Sequence, residues 1–190
     1  MVSSELIDLI QRNDKAAKKQ LFDLYYGRLA GIASRYAKNQ SQAGELLNAG
    51  FNHCFHALQN SRQVKISDPD AFFEKEFITA CVAFIKNLRS EYYVASTVYA
   101  VETSTKNYDL FENNDLIDFN QVDTAVVIKA LHQLVPAQRM VFNLHVIDGY
   151  SLSEIGVILE TNEETIKSNL EKARYNLQKN IEHGLKALII

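Results

Sequence analysis

Apolar residues between positions 149 and 185 fall into two registers separated by a short polar break. Leu152, Ile155 and Leu159 occupy one face at i, i+3 and i+7, the spacing of a helix that buries one side. After Glu160, Thr161 and Asn162, a second stripe runs through Ile166, Leu170, Ala173, Leu177, Ile181 and Leu185 at three- and four-residue steps. Gly149 precedes the pair, and either Thr161 or Asn162 is suited to cap the longer helix. The pattern predicts a helix-turn-helix, although spacing alone serves an ordinary helical hairpin equally well. With the stripe turned inward, Glu164, Lys167, Ser168, Glu171 and Tyr175 face outward, where a recognition helix would meet the major groove.

Further helices are predicted upstream. Ser4 is placed to cap a short helix ending near Arg12, Asp14 a long one reaching Lys38, and Ser41 opens a third running to about Gln59. Asp68 and Pro69 open a fourth, because proline suits the first turn and the preceding aspartate suits the cap. Pro136 likewise opens a helix ending at Gly149. No alternating strand pattern and no internal repeat is present. The expected fold class is therefore all-α, with two helical domains, residues 1–97 and 122–190, joined by an acidic linker over 98–121.

The charge distribution changes how the −3 net charge is read. Residues 1–100 carry 12 basic and 10 acidic groups, residues 101–124 carry 1 and 6, and residues 125–190 carry 7 of each. The acidity is concentrated in the connector, which lacks a sustained period and is rich in Asn and Asp, as expected of an extended solubilising linker. Between Glu163 and Glu182 the basic Lys167, Lys172, Arg174 and Lys179 are matched by four acidic residues, so little counterion release is available to drive nonspecific DNA binding. A domain of this kind, alone, is expected to bind DNA weakly.

Other chemistry finds little support. His53, Cys54 and His56 are the densest set of potential metal ligands, but no second cluster completes a site, so no metal and no cofactor is expected. Neither a glycine-rich phosphate loop nor a nucleophile elbow is present, and the chain is not expected to be an enzyme. Cys54 and Cys81 are expected to be buried small residues. The pairs Tyr25/Tyr26 and Tyr92/Tyr93 offer rings for base stacking, with one of each pair expected to fill a core. No apolar run is long enough to span a bilayer and no charged-then-apolar leader is evident, which points to a cytoplasmic protein without membrane insertion.

The wording of the C-terminal segment is more specific than its spacing. Gly149, Ser151, Glu154, Ile155 and Gly156, followed by Thr165, Ile166, Lys167, Ser168, Leu170, Lys172, Ala173 and Arg174, resemble region 4 of bacterial sigma factors of the extracytoplasmic-function (ECF) group. Upstream, Leu131, Leu134, Pro136, Arg139, Val141, Phe142 and Leu144 match that family's L-x-x-L-P-x-x-x-R-x-V-F-x-L. Residues 21–58 are similar to its region 2 through Phe22, Leu24, Tyr25, Arg35, Tyr36, Ala43, Leu46 and Phe51. The resemblance covers most of the chain outside the linker.

It implies an alternative sigma factor that directs core RNA polymerase to promoter DNA. Docking on the beta-prime coiled coil would fall to Glu45, Leu46 and Asn48, while Gln42, Gly44 and Ala49 occupy positions where the family carries further acidic or Gln side chains. Losing two or three charge-assisted hydrogen bonds would cost roughly 1.5–3 kcal/mol each. Along the helix that reads the minus-10 element, Phe72 and Phe73 and then Thr79, Ala83 and Lys86 align, keeping the aromatic and one basic position. Arg62 and Lys65 lie in a loop that in the family holds a flipped base. Minus-35 contacts would come from Thr165, Lys167, Ser168, Asn169, Lys172 and Arg174, with Asn169 standing where the family often has Arg and able to pair with an adenine edge. Glu160 replaces a frequent turn Gly, so the turn either avoids a left-handed residue or bears strain. An anti-sigma factor is a further implied partner. Two other readings stay open: a sigma-like interaction protein that no longer binds polymerase or promoter productively, and a stand-alone helix-turn-helix regulator.

Overall fold

In the computed structural model of the chain, residues 3–61, 66–88 and 122–186 are described. Among them every regular element is helical, and the chain divides into two compact units, Met1–Asn87 and Leu88–Ile190.

The first unit holds α1 (Ser4–Gln11), α2 (Lys15–Tyr36), α3 (Gln40–Asn60) and α4 (Pro69–Asn87). Each start has a side-chain cap. Ser3 Oγ accepts from the Leu6 N–H (3.1 Å), Asp14 Oδ1 from Ala17 (2.7 Å), Asn39 Oδ1 from Gln42 (2.9 Å) and Asp68 Oδ1 from Ala71 (3.0 Å). Two expected caps are thus displaced: Ser3 rather than Ser4 opens α1, and Asn39 rather than Ser41 opens α3. In both cases the cap is the last residue with extended backbone before the helix, and the expected residue is already inside it. Between α1 and α2, Asn13 takes a left-handed conformation (φ 66°) that its short amide tolerates.

Aromatic rings fill the space among these helices. Tyr25 meets Phe73 at 4.7 Å between centroids, and Phe51 packs edge-on to Phe77 at 6.2 Å. The Phe77 ring lies so close to the α3 backbone that a Cβ on Gly50 would be 2.2 Å from it, which accounts for glycine inside that helix. Tyr25 is buried and Tyr26 is exposed, so one ring of that pair does enter the core; Tyr92 and Tyr93 lie outside the described residues. The Tyr25 hydroxyl donates to Asp70, and Arg28 Nε pairs with Glu74 Oε1 at 2.5 Å, tying α2 to the first turns of α4. Burial first, and then the Asp70 carboxylate, push the Tyr25 phenol above its ordinary pKa.

Cys54 and Cys81 are both buried free thiols. Burial, helped by the charge of Glu76, pushes the Cys54 thiol up to about 12 from a reference of 9.0. Because the folded-state pKa is raised, the folded protein holds this proton more tightly. The associated stability is fully present below about pH 9 and is lost as pH rises toward 12. The urea midpoint is accordingly expected to fall across that window, and to fall less steeply in Cys54→Ala.

The second unit comprises α5 (Thr124–His132), α6 (Pro136–Phe142), a π-turn over Asn143–Ile147, α7 (Leu152–Leu159) and α8 (Glu163–Lys186). The α5 helix, capped by Asp123, was not among the expected elements. Pro136 does open α6, but the helix widens into the π-turn instead of continuing unchanged to Gly149. Ala130, Leu131 and Leu134 pack against Ala173, Leu177 and Ile181 of α8, with Val126, Phe142 and Leu185 at the margin.

Arg139 is buried in this unit, with only 1% of its surface exposed. Its Nη1 donates to the carbonyls of His132 (3.2 Å) and Leu134 (2.9 Å), where α5 ends and its last acceptors have no helical partner. Asn143 Nδ2 donates to the Arg139 carbonyl (2.8 Å), Asn176 to Gln138 Oε1 (3.0 Å) and Asn180 to the Ala130 carbonyl (3.1 Å). Arg139→Met is expected to lower stability by about 3 kcal/mol, since it strands two carbonyls at once. Chemical denaturation checks this.

Candidate nucleic-acid interface

Four local devices shape the segment from the approach to α7 through the start of α8. Ser151 and Glu154 form a reciprocal capping box: Ser151 Oγ accepts from the Glu154 N–H (3.2 Å) and the Ser151 N–H donates to Glu154 Oε2 (2.8 Å). Gly149, at φ 76°, lets the chain reverse after the π-turn, and the Tyr150 N–H returns to the Leu144 carbonyl (2.9 Å). At the far end Glu160 takes the left-handed conformation (φ 55°, ψ 47°), and the Thr161 N–H donates to the Gly156 carbonyl (3.0 Å). Asn162, not Thr161, then caps α8, its Oδ1 accepting from the Thr165 N–H (2.8 Å).

The strain alternative at Glu160 is therefore the one the structure adopts. A Cβ on Gly156 would lie 3.1 Å from the Thr161 carbonyl oxygen, so the turn folds back closely onto this position and would have to give by a few tenths of an ångström to admit a side chain. Glu160→Gly is expected to raise stability by about 1 kcal/mol, because glycine adopts this conformation without the steric cost borne by glutamate. A thermal or urea unfolding curve reads this directly, and a loss of stability would show that the glutamate side chain outweighs its backbone strain.

The α8 face opposite the buried Ile166, Leu170, Ala173, Leu177 and Ile181 is open to solvent. At ~100° per residue, the expected contact residues do not form one patch. Thr165, Ser168, Asn169 and Lys172 share one contiguous strip, whereas Lys167 and Arg174 fall on the opposite flank beside Glu163. Thr165, Lys167 and Arg174 are exposed, and Ser168, Asn169 and Lys172 are half-buried. Lys167 Nζ lies 3.8 Å from Glu163 Oε2, an exposed pair that contributes little to stability but partly neutralises the cation. Glu163 and Glu164 favour the helix dipole and oppose an incoming phosphate. Further along, the hydrogen bond from Lys179 to Glu182 (3.0 Å) raises the lysine pKa and keeps it charged.

In the first unit, Thr79, Ala83 and Lys86 follow one another along α4 at i, i+4 and i+7, and exposed Lys75 extends the same stripe. Thr79 and Ala83 are exposed and Lys86 half-buried, while Thr79 Oγ1 donates back to the Lys75 carbonyl (2.8 Å). Lys75 was absent from the expected set, although the same four-residue step points to it. Phe72 remains half-buried, but Phe73 is in the core and offers no ring to the surface. Arg62 and Lys65 lie outside the described residues.

On α3, Glu45 and Asn48 are exposed, but Leu46 is fully buried and provides packing rather than a docking surface. Its place in the apolar stripe with Leu58, Phe51 and Cys54 explains the difference. Gln42 is also buried: its Oε1 accepts the Lys38 N–H (2.8 Å) just beyond the end of α2, so its amide is engaged inside the fold. His53 and His56 do not converge with Cys54. His53 Nε2 contacts Glu76 Oε2 (2.9 Å) on α4, His56 is exposed, and Cys54 faces the core.

A capped short helix, a tight turn and a long helix with an outward polar strip make up a helix-turn-helix. The family model for ECF sigma factors matches residues 2–183, and the chain belongs to that family. It is accordingly an alternative sigma factor, acting in DNA-templated transcription initiation. No curated protein sequence matches the chain. Among solved structures, it is similar to the sigma factor RpoE in complex with the anti-sigma factor NepR from Bartonella quintana. The identity is 22%, the alignment covers 86% of this chain and 96% of that chain, and the TM-score is 0.48. No helix among the described residues is long and apolar enough to cross a membrane.

Proposed function

We propose that this sigma factor works in the cytoplasm through three separate surfaces spread over two domains, residues 1–97 and 122–190, with 98–121 as an acidic connector. Glu45 and Asn48 on α3 dock the beta-prime coiled coil of core RNA polymerase. The α4 stripe of Lys75, Thr79, Ala83 and Lys86, with Arg62 and Lys65, engages the minus-10 element. Thr165, Ser168, Asn169 and Lys172 on α8 read the minus-35 element, while Lys167 and Arg174 meet the phosphate backbone. The observation that carries this reading is the α8 strip: polar, with Thr165 exposed and Ser168, Asn169 and Lys172 partly accessible, and backed on its inner side by a well-packed apolar stripe.

Tethering supplies what charge does not. With basic and acidic residues balanced along α8, nonspecific attraction is weak. Once polymerase holds the first domain, the second meets its site at a high effective concentration. The acidic connector suits a basic channel of the polymerase. An anti-sigma factor is proposed as the partner that competes for these surfaces, in keeping with the anti-sigma complex of the similar RpoE.

One observation favours a second reading. Gln42 and Leu46 are withdrawn into the fold, so of the residues considered for docking Glu45, the one carboxylate, and Asn48 remain exposed. A sigma-like protein that binds a regulator instead of polymerase would have such a face. Gel filtration of the full chain with core RNA polymerase from its own organism, at near-physiological salt, separates the two. Co-migration is expected, with Glu45→Lys weakening it about tenfold or more. Absence of co-migration by the folded wild-type chain would favour the interaction protein.

A further inference from the structure

Asn169 does not project freely from α8. Its Nδ2 donates a hydrogen bond to the Thr165 carbonyl one turn earlier at 2.9 Å, which fixes the plane and direction of the amide before any ligand arrives. A carboxamide has two N–H donors and an acceptor oxygen with two lone pairs. The bond to Thr165 uses one donor, so one N–H and Oδ1 are left for recognition. Adenine presents N7 as an acceptor beside N6–H2 as a donor in the major groove, whereas guanine presents two acceptors, N7 and O6. The remaining pair on Asn169 therefore complements adenine and sets oxygen against oxygen at guanine.

We infer that Asn169, held by the Thr165 carbonyl, is a specificity-determining residue that selects adenine at one position of the upstream promoter element. The inference rests on the promoter-reading role proposed for α8. Neighbouring groups on the strip are consistent with a single base-reading position: Thr165 and Ser168 carry short hydroxyls, and Lys172, one turn beyond Ser168, has a long stem able to reach a phosphate or a neighbouring base. Pre-orientation by the Thr165 bond also reduces the rotamer entropy lost when the base is bound.

The test uses full-length protein with core RNA polymerase on a promoter library randomised across the upstream element, with transcripts sequenced to give base preference at each position. Wild type is expected to show one adenine position at which any other base lowers initiation about tenfold. Asn169→Ala should flatten that position alone, and Asn169→Arg should move its preference to guanine, because the guanidinium matches N7 and O6. Transcription by Asn169→Ala with an unchanged profile at every position would overturn the adenine assignment while leaving the function of the chain intact. Failure of the wild type to initiate on any library member would overturn both.

Discussion

The buried Arg139 guanidinium is the constraint on which the second unit depends. A charge in an apolar interior is tolerated only with hydrogen-bond partners, and here they are the carbonyls of His132 and Leu134 at the exit of α5. That contact sets the angle at which the chain enters Pro136 and α6. The neighbouring amides then carry the arrangement to α8: Asn176 reaches Gln138, and Asn180 reaches the Ala130 carbonyl. Contacts of this type are directional, unlike the apolar packing beside them, so they fix the rotation of α8 about its own axis as well as its distance. Rotation matters because a turn of ~100° would exchange the polar strip for its flank.

The two units solve the same packing problem differently. The first interleaves aromatic rings and lets Phe77 lie against the bare backbone of Gly50, whereas the second uses a polar scaffold beside a core of aliphatic residues. Their surfaces differ in kind as well. The α4 stripe has a lysine at either end, while α8 begins with two glutamates. On the function proposed above, a surface with so little net positive charge would take its selectivity from positioned hydrogen bonds and its affinity from tethering.

Much of the architecture was legible in the amino-acid pattern. The α8 stripe and the paired Asp68 and Pro69 emerge as read, because a long amphipathic period and a proline-marked start have few competing solutions. Less visible features depend on single local decisions. Which of several polar residues becomes a cap is decided by where the backbone turns, so Ser3 and Asn39 took positions read as Ser4 and Ser41. The π-turn after α6 has no periodic signature, and α5 was hidden by the polar stretch leading into it. Among the candidate residues, Glu45, Asn48 and the α8 strip are at the surface. Leu46 is not, since an apolar residue within a docking motif serves the core first. Gln42 turned inward to accept the Lys38 N–H just beyond the end of α2, a local demand no linear motif displays.

The most direct test of this account is to map the 5′ ends of transcripts made by core RNA polymerase on DNA from its own organism, with and without the purified chain. A sigma factor built on these surfaces predicts a small set of discrete start sites that appear only when the chain is added and share a common upstream sequence. Initiation unchanged by the chain, or scattered with no shared upstream sequence, would contradict it.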